Sequence, residues 1–150
     1  MLGIIRDIFN QAADADPSIT EKRQHMAAAI LLFEVAKADH NLGVEEQARL
    51  ERVLREEFDL APDALEELVV AAHGRSEEVA SLHEQVDLIN EMFDRDRKLA
   101  LLTDLWRVAC ADGVIHHHEE HLIRRLSDLM HLNHRDFIRA KHNALGEGGE

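Results

Sequence analysis

Residues 105–119 read Leu105-Trp106-Arg107-Val108-Ala109-Cys110-Ala111-Asp112-Gly113-Val114-Ile115-His116-His117-His118-Glu119, and the stretch 73 positions earlier repeats their pattern. Leu32, Val35, Ala36, Ala38, Asp39, Glu46 and Arg52 recur as Leu105, Val108, Ala109, Ala111, Asp112, Glu119 and Arg125, seven identities over the 22 positions from Leu32 to Val53. Chance supplies about one, so the chain carries two related helix-turn-helix units. Phe33/Trp106, Leu42/Ile115, Leu50/Ile123 and Val53/Leu126 are conservative pairs at the same offset. Leu60 and Leu132 are 72 apart, which puts the loss of one residue in the second unit after its shared helix start.

Outward from the repeat, the pattern is helical throughout. Leu, Ala, Glu and Arg dominate, period-two runs of β-branched residues are missing, and the fold reads as all-α with seven to eight helices. The spacing predicts an amphipathic helix over residues 2–13, with Leu2, Ile5, Ile8, Phe9 and Ala12 on one face, broken by Asp14-Ala15-Asp16-Pro17-Ser18. A central helix follows over about 20–38, then helices over about 44–58 and from Pro62 to about 72. Ser76 is expected to cap the next helix through Val79 to Phe93, and Asp94 or Asp96 the one through Leu99 to Ala109. The last two run over about 117–130 and from an Asn133 cap, with Asp136 at the third position and Phe137, Ile138 and Leu145 as anchors. The expected organisation is an N-terminal helix and linker over 1–18, a helical domain over 19–145 and a frayed tail over 146–150.

Composition narrows the function. A chain of 150 residues with 45% apolar and 31% charged residues is one globular domain by size and balance. Its net charge of −13 repels phosphate backbones and anionic lipid, so nucleic-acid partners are not expected, and cations or basic surfaces are. One cysteine makes no internal disulfide, the N-terminus lacks a secretory pattern, and the longest apolar run, Met26–Phe33, is eight residues. A cytoplasmic protein without a transmembrane segment is expected.

Asp39 and Asp112 fall at the C-terminal end of a helix, where the macrodipole is unfavourable to a carboxylate by about 0.3–1 kcal/mol. Turn chemistry accounts for them if Asp tolerates the bend, Gly113 supplies a left-handed residue, and Leu42 or Ile115 plugs the hairpin into the core. Glu46 and Glu119, about three residues into the next helix, can each bond a free N–H as in a capping box. Packing of the two units about a pseudo-two-fold axis would instead bring Asp39, Glu46, Asp112 and Glu119 together. Like charges at 4 Å repel by about 4 kcal/mol at an effective dielectric of 20, so such a cluster holds a cation, takes up protons or meets a basic partner. All-oxygen ligands suit Ca²⁺, Mg²⁺ or Mn²⁺. The acids lack the spacing of an EF-hand loop.

The doubled Ala-Asp-Gly-x-Ile-x-x-x-Glu hairpin, complete around Asp112-Gly113-Val114-Ile115 and Glu119, resembles that of the TerB-like (tellurite-resistance B) family. The resemblance runs from about His25 to Lys141, and Asp136-Phe137-Ile138-Arg139-Ala140-Lys141 is similar to the stand-alone, uncharacterised branch. The first unit departs from the pattern, with His40 in place of the Gly and Leu42 in place of the Ile. The resemblance implies an all-α domain of about seven helices, a stress-related or metal-associated role with acidic residues as the cation site, and no known reaction.

Other motifs weigh less. His117 to His121 spells His-x-x-Glu-His, the order of inverted zinc proteases, but only 29 residues follow, too few for a third ligand and a cleft domain. His117 or His118 with His121 could hold Zn²⁺ or Ni²⁺ as an adventitious pair, against a plain reading as a solvated helix start. Cys110 has no neighbouring base in sequence and reads as a packed thiol. No nucleophile and base, Gly-rich phosphate loop or Glu-x-x-His pair appears, so a non-enzymatic module is expected. Two functions stand: a cation-binding, stress-associated module, or an interaction or co-chaperone-like adaptor that docks a partner or second copy through residues 2–13, its paired acids serving as turn and cap residues.

Overall fold

The computed structural model describes residues 17–38, 43–77 and 82–148. Among these residues it contains seven helices and no strand: α1 (Pro17–Ala36), α2 (Val44–Phe58), α3 (Pro62–Glu77), α4 (Leu82–Met92), α5 (Arg95–Ala109), α6 (His117–Leu129) and α7 (His134–Gly148). The expected helix over residues 2–13, Val79, and the turn residues Asp39, His40 and Leu42 lie outside the described residues.

Two helices form the centre, and they are the first helices of the two repeated units. Every residue of α1 from Ala27 to Phe33 is buried, together with Val35 and Ala36. A helix apolar on all sides has to be surrounded, and α1 packs against α2, α3, α4 and α5. In α5, Leu101 to Trp106, Val108 and Ala109 are buried, and α7 packs along it. Phe33 and Trp106, the equivalent aromatics, are both fully enclosed. Phe137 of α7 meets the Trp106 ring edge-on at 5.2 Å.

The helix ends show how deep the repeat goes. The partner helices α2 and α6 bury Leu50, Val53 and Leu54, and Ile123 and Leu126. Each ends in a Schellman turn around a left-handed residue that is not glycine: Asp59 at φ 50° and His131 at φ 64°. The Leu60 N–H donates to Arg55 O at 3.2 Å, and the Leu132 N–H donates to Ser127 O at 3.0 Å. These paired bonds keep the 72-residue offset of Leu60 and Leu132, so the loss of one residue is absorbed before the helix ends.

Two starts agree with the sequence. The Asp94 carboxylate caps α5, accepting from the Arg97 N–H at 2.8 Å. Asn133 and Asp136 cap α7 reciprocally: Asn133 Oδ1 accepts from the Asp136 N–H at 2.8 Å, and Asp136 Oδ2 accepts from the Asn133 N–H at 3.2 Å.

Three expectations need correction. Ser76 does not cap a following helix; it lies inside α3, where its hydroxyl donates to His73 O at 2.9 Å. α3 runs through Gly74 to Glu77 because tertiary contacts offset the roughly 1 kcal/mol helix penalty of glycine: Lys37 Nζ, from the end of α1, donates to Ser76 O at 2.8 Å, and His73 packs on Phe33. At the other end, Leu145 is 40% exposed and Ala144 takes the buried position, while α7 continues past residue 145 to Gly148.

Candidate functional site

The hairpin of the second unit lies wholly within the described residues. Asp112 stays in the turn after α5: its Oδ1 accepts from the Val114 N–H at 3.0 Å, and its Oδ2 lies 3.2 Å from His116 Nε2. Gly113 supplies the left-handed residue at φ 85°, and Ile115 packs back on the core. The backbone bond from Val114 holds the Asp112 carboxyl below its usual range, with His116 adding to the effect. The turn chemistry expected from the sequence is therefore present in the second unit. Asp39, its equivalent, lies outside the described residues.

Glu46 and Glu119 each stand at the third position of their helix and are buried, at 4% and 0% exposure. Their neighbours Glu45 and Glu120 are not. Glu46 Oε2 accepts from the Gly43 N–H at 3.1 Å, the capping bond expected for it. The signal for burial was in the spacing. Glu46 precedes Leu50 and Val53 by four and seven residues, and Glu119 precedes Ile123 and Leu126 by four and seven, so each acid begins its helix's buried stripe.

Cys110, at the end of α5, shows what surrounds this end of the molecule. Burial pushes its thiol up to about 11; Glu119 and Asp112 add to the rise, while Lys141 of α7 and Arg49 of α2 oppose it. Charges from both units and from α7 thus act on one half-buried thiol, which stays protonated at neutral pH. Lys141 also lies over the Trp106 ring at 5.3 Å and 3.6 Å from Glu120. Among the described residues, no three His, Cys, Asp or Glu side chains form a group that could hold a metal ion. His117, His118 and His121 are all exposed on the first turns of α6.

One acidic pair escaped the sequence reading. Asp104 of α5 is 3% exposed and lies against Glu57 of α2, with the Arg107 guanidinium 2.6 Å from Asp104 and 3.7 Å from Glu57. Burial, then the Glu57 charge, push Asp104 up to about 8 against the pull of Arg107. The i,i+3 relation of Asp104 and Arg107 was legible; the approach of Glu57 from another helix was not.

A repeated pair of helices, each with a buried glutamate at the start of its second helix, agrees with the match of residues 25–142 to the family model described as Tellurite resistance protein TerB. The chain belongs to the TerB family. No curated protein matches it significantly. Among solved structures, this TerB chain is similar to the crystal structure of a protein of unknown function, PG1108, from Porphyromonas gingivalis W83. The TM-score is 0.64 at 22% identity, over 83% of this chain and 95% of that one, a likeness of fold. Membership in the TerB family supports a tellurite-resistance-associated module, built on a single all-α domain.

Proposed function

We propose that this TerB chain is a non-enzymatic module that binds a divalent, oxygen-preferring cation (Ca²⁺, Mg²⁺ or Mn²⁺) through Asp39, Glu46, Asp112 and Glu119. The observation that carries the reading is the burial of Glu46 and Glu119 at equivalent positions of the two units. A carboxylate taken out of water draws charge or N–H donors to itself, and a cation bound beside such a pair at one repeat position would supply charge to both. Asp39 and Asp112 precede them by seven residues in the sequence, and on this reading their oxygens complete an all-oxygen set. His117, His118 and His121 form a weaker candidate for Zn²⁺ or Ni²⁺.

A second reading has its own support. Glu46 and Asp112 already accept backbone N–H bonds, as turn and cap residues should. On that reading the module acts through protein contacts, as an adaptor or a homo-oligomer. Thermal unfolding of tag-free protein with EDTA, Ca²⁺, Mg²⁺, Mn²⁺ and Zn²⁺ separates the two, repeated on Asp39→Asn/Asp112→Asn and on Glu119→Gln. An oxygen-preferring cation at 100 times its Kd should stabilise the wild type by about 2.7 kcal/mol, and the variants should lose that gain. A flat response to all four metals would overturn the cation reading and leave the acids as turn and cap residues.

A further inference from the structure

An apolar recess lies between the first half of α1 and α3. It is a half-open groove of about 350 Å³. Met26, Leu60, Ala64, Leu68 and Ala71 are its apolar lining, and Glu21, Lys22, His25 and Glu67 its polar lining. The apolar surface continues beyond it. Ile19, on the Lys22–Met26 face of α1, is 43% exposed; Val70 is 66% exposed and lines an adjoining recess that shares Glu67 and Ala71 with this one. Isolated exposed apolar residues are ordinary, but two of the five large ones among the described residues adjoin this groove or the recess beside it.

We propose that this groove is the docking site of the chain's own residues 2–13. The described structure begins at Pro17, at the groove's end, so the undescribed segment is tethered beside it. Three residues, Asp14-Ala15-Asp16, separate residue 13 from Pro17. A connection that short keeps the segment next to the start of α1. The dimensions agree: Ile5 to Ala12 is eight residues, as are Ile19 to Met26 on α1 and Ala64 to Ala71 on α3, a rise of about 10 Å for a helix of that length. The apolar face Leu2, Ile5, Ile8, Phe9 and Ala12 supplies the complement to the groove wall. Arg6 and Asp7 cancel, so the segment approaches the acidic edge without the repulsion that two copies of a −13 chain exert on each other. Tethering through a short linker gives an effective concentration on the order of millimolar, which favours the segment over a partner in trans.

Disulfide trapping in the full-length chain tests this. With Cys110→Ser as background, Phe9→Cys/Ala64→Cys under mild oxidation should give a monomeric cross-linked species, at a yield independent of protein concentration and at least tenfold above that of Phe9→Cys/Arg125→Cys. A cross-linked dimer whose yield rises with concentration would overturn the proposal in favour of a second copy. Cross-linking no better than the Arg125 control would overturn it outright. In a second arm without new cysteines, Ile5→Asp/Phe9→Asp should raise hydrogen exchange across residues 64–71 several-fold and leave residues 101–109 unchanged; equal exchange in wild type and variant would count against docking.

Discussion

At the residue scale, burial separates acids that look alike in sequence. Asp112 and Glu119 belong to one hairpin, yet Asp112 is held below its usual range by a backbone N–H in an exposed turn, whereas Glu119 is wholly enclosed. Asp104 shows the opposite shift, and its consequence has a definite sign. Its folded pKa of about 8 lies above that of the unfolded chain, so the folded state keeps a proton that the unfolded chain has released. The stability this confers is full below about pH 4 and is lost as the pH rises toward 8. Asp104→Asn should therefore flatten the dependence of Tm on pH between 5 and 8.5, with its gain over wild type largest at the alkaline end. Equal slopes for the two proteins would place the titrating group elsewhere. Cys110, pushed up to about 11, should react with a disulfide reagent at pH 8 far more slowly than an unfolded thiol does; a rate equal to that of the urea-unfolded chain would refute its protection.

At the scale of the element, caps decide where helices start and stop. Asp94 and Asn133 were recognisable because a short polar side chain before an apolar stripe has one local partner, the free N–H two or three residues on. The stops were harder. His131 and Asp59 end their helices in the left-handed region that glycine fills most easily, and no glycine marked either place. His131 carries the strain without the local hydrogen bonding that suits Asp to the conformation. His131→Gly should stabilise the protein by about 1 kcal/mol, a rise in Tm of about 2–4 °C by differential scanning calorimetry. A fall in Tm would mean that the imidazole makes contacts worth more than the backbone strain.

At the scale of the molecule, the two units share one core. α1 of the first unit packs directly on α5 of the second, and α2 also reaches α5. Such an arrangement should unfold in one step. Trp106, the single tryptophan, lies in the second unit and is fully buried, so its fluorescence reports that unit, whereas far-UV dichroism reports all helices. In Phe33→Ala, which removes the first unit's buried aromatic, both signals should shift together to lower urea by an amount corresponding to about 3–5 kcal/mol. Separate midpoints would show that the units unfold independently.

The sequence by itself determined the helical class, the doubled hairpin, most helix starts, the central helix over about 20–38 and the equivalence of Phe33 and Trp106, because apolar period and capping are local and survive in one dimension. It placed Glu46 and Glu119 about three residues into the second helix of each unit, but their burial followed only when the stripes those helices carry met a core. Tertiary structure alone decided that α3 passes through Gly74, since Lys37 arrives from another helix to satisfy its end, and that Leu145 points outward while Ala144 is covered. It alone joined Asp104 to Glu57, and it alone formed the groove between α1 and α3. Contacts between residues distant in sequence leave no period to read: they depend on which faces meet when the helices pack, and that is set by the whole core at once.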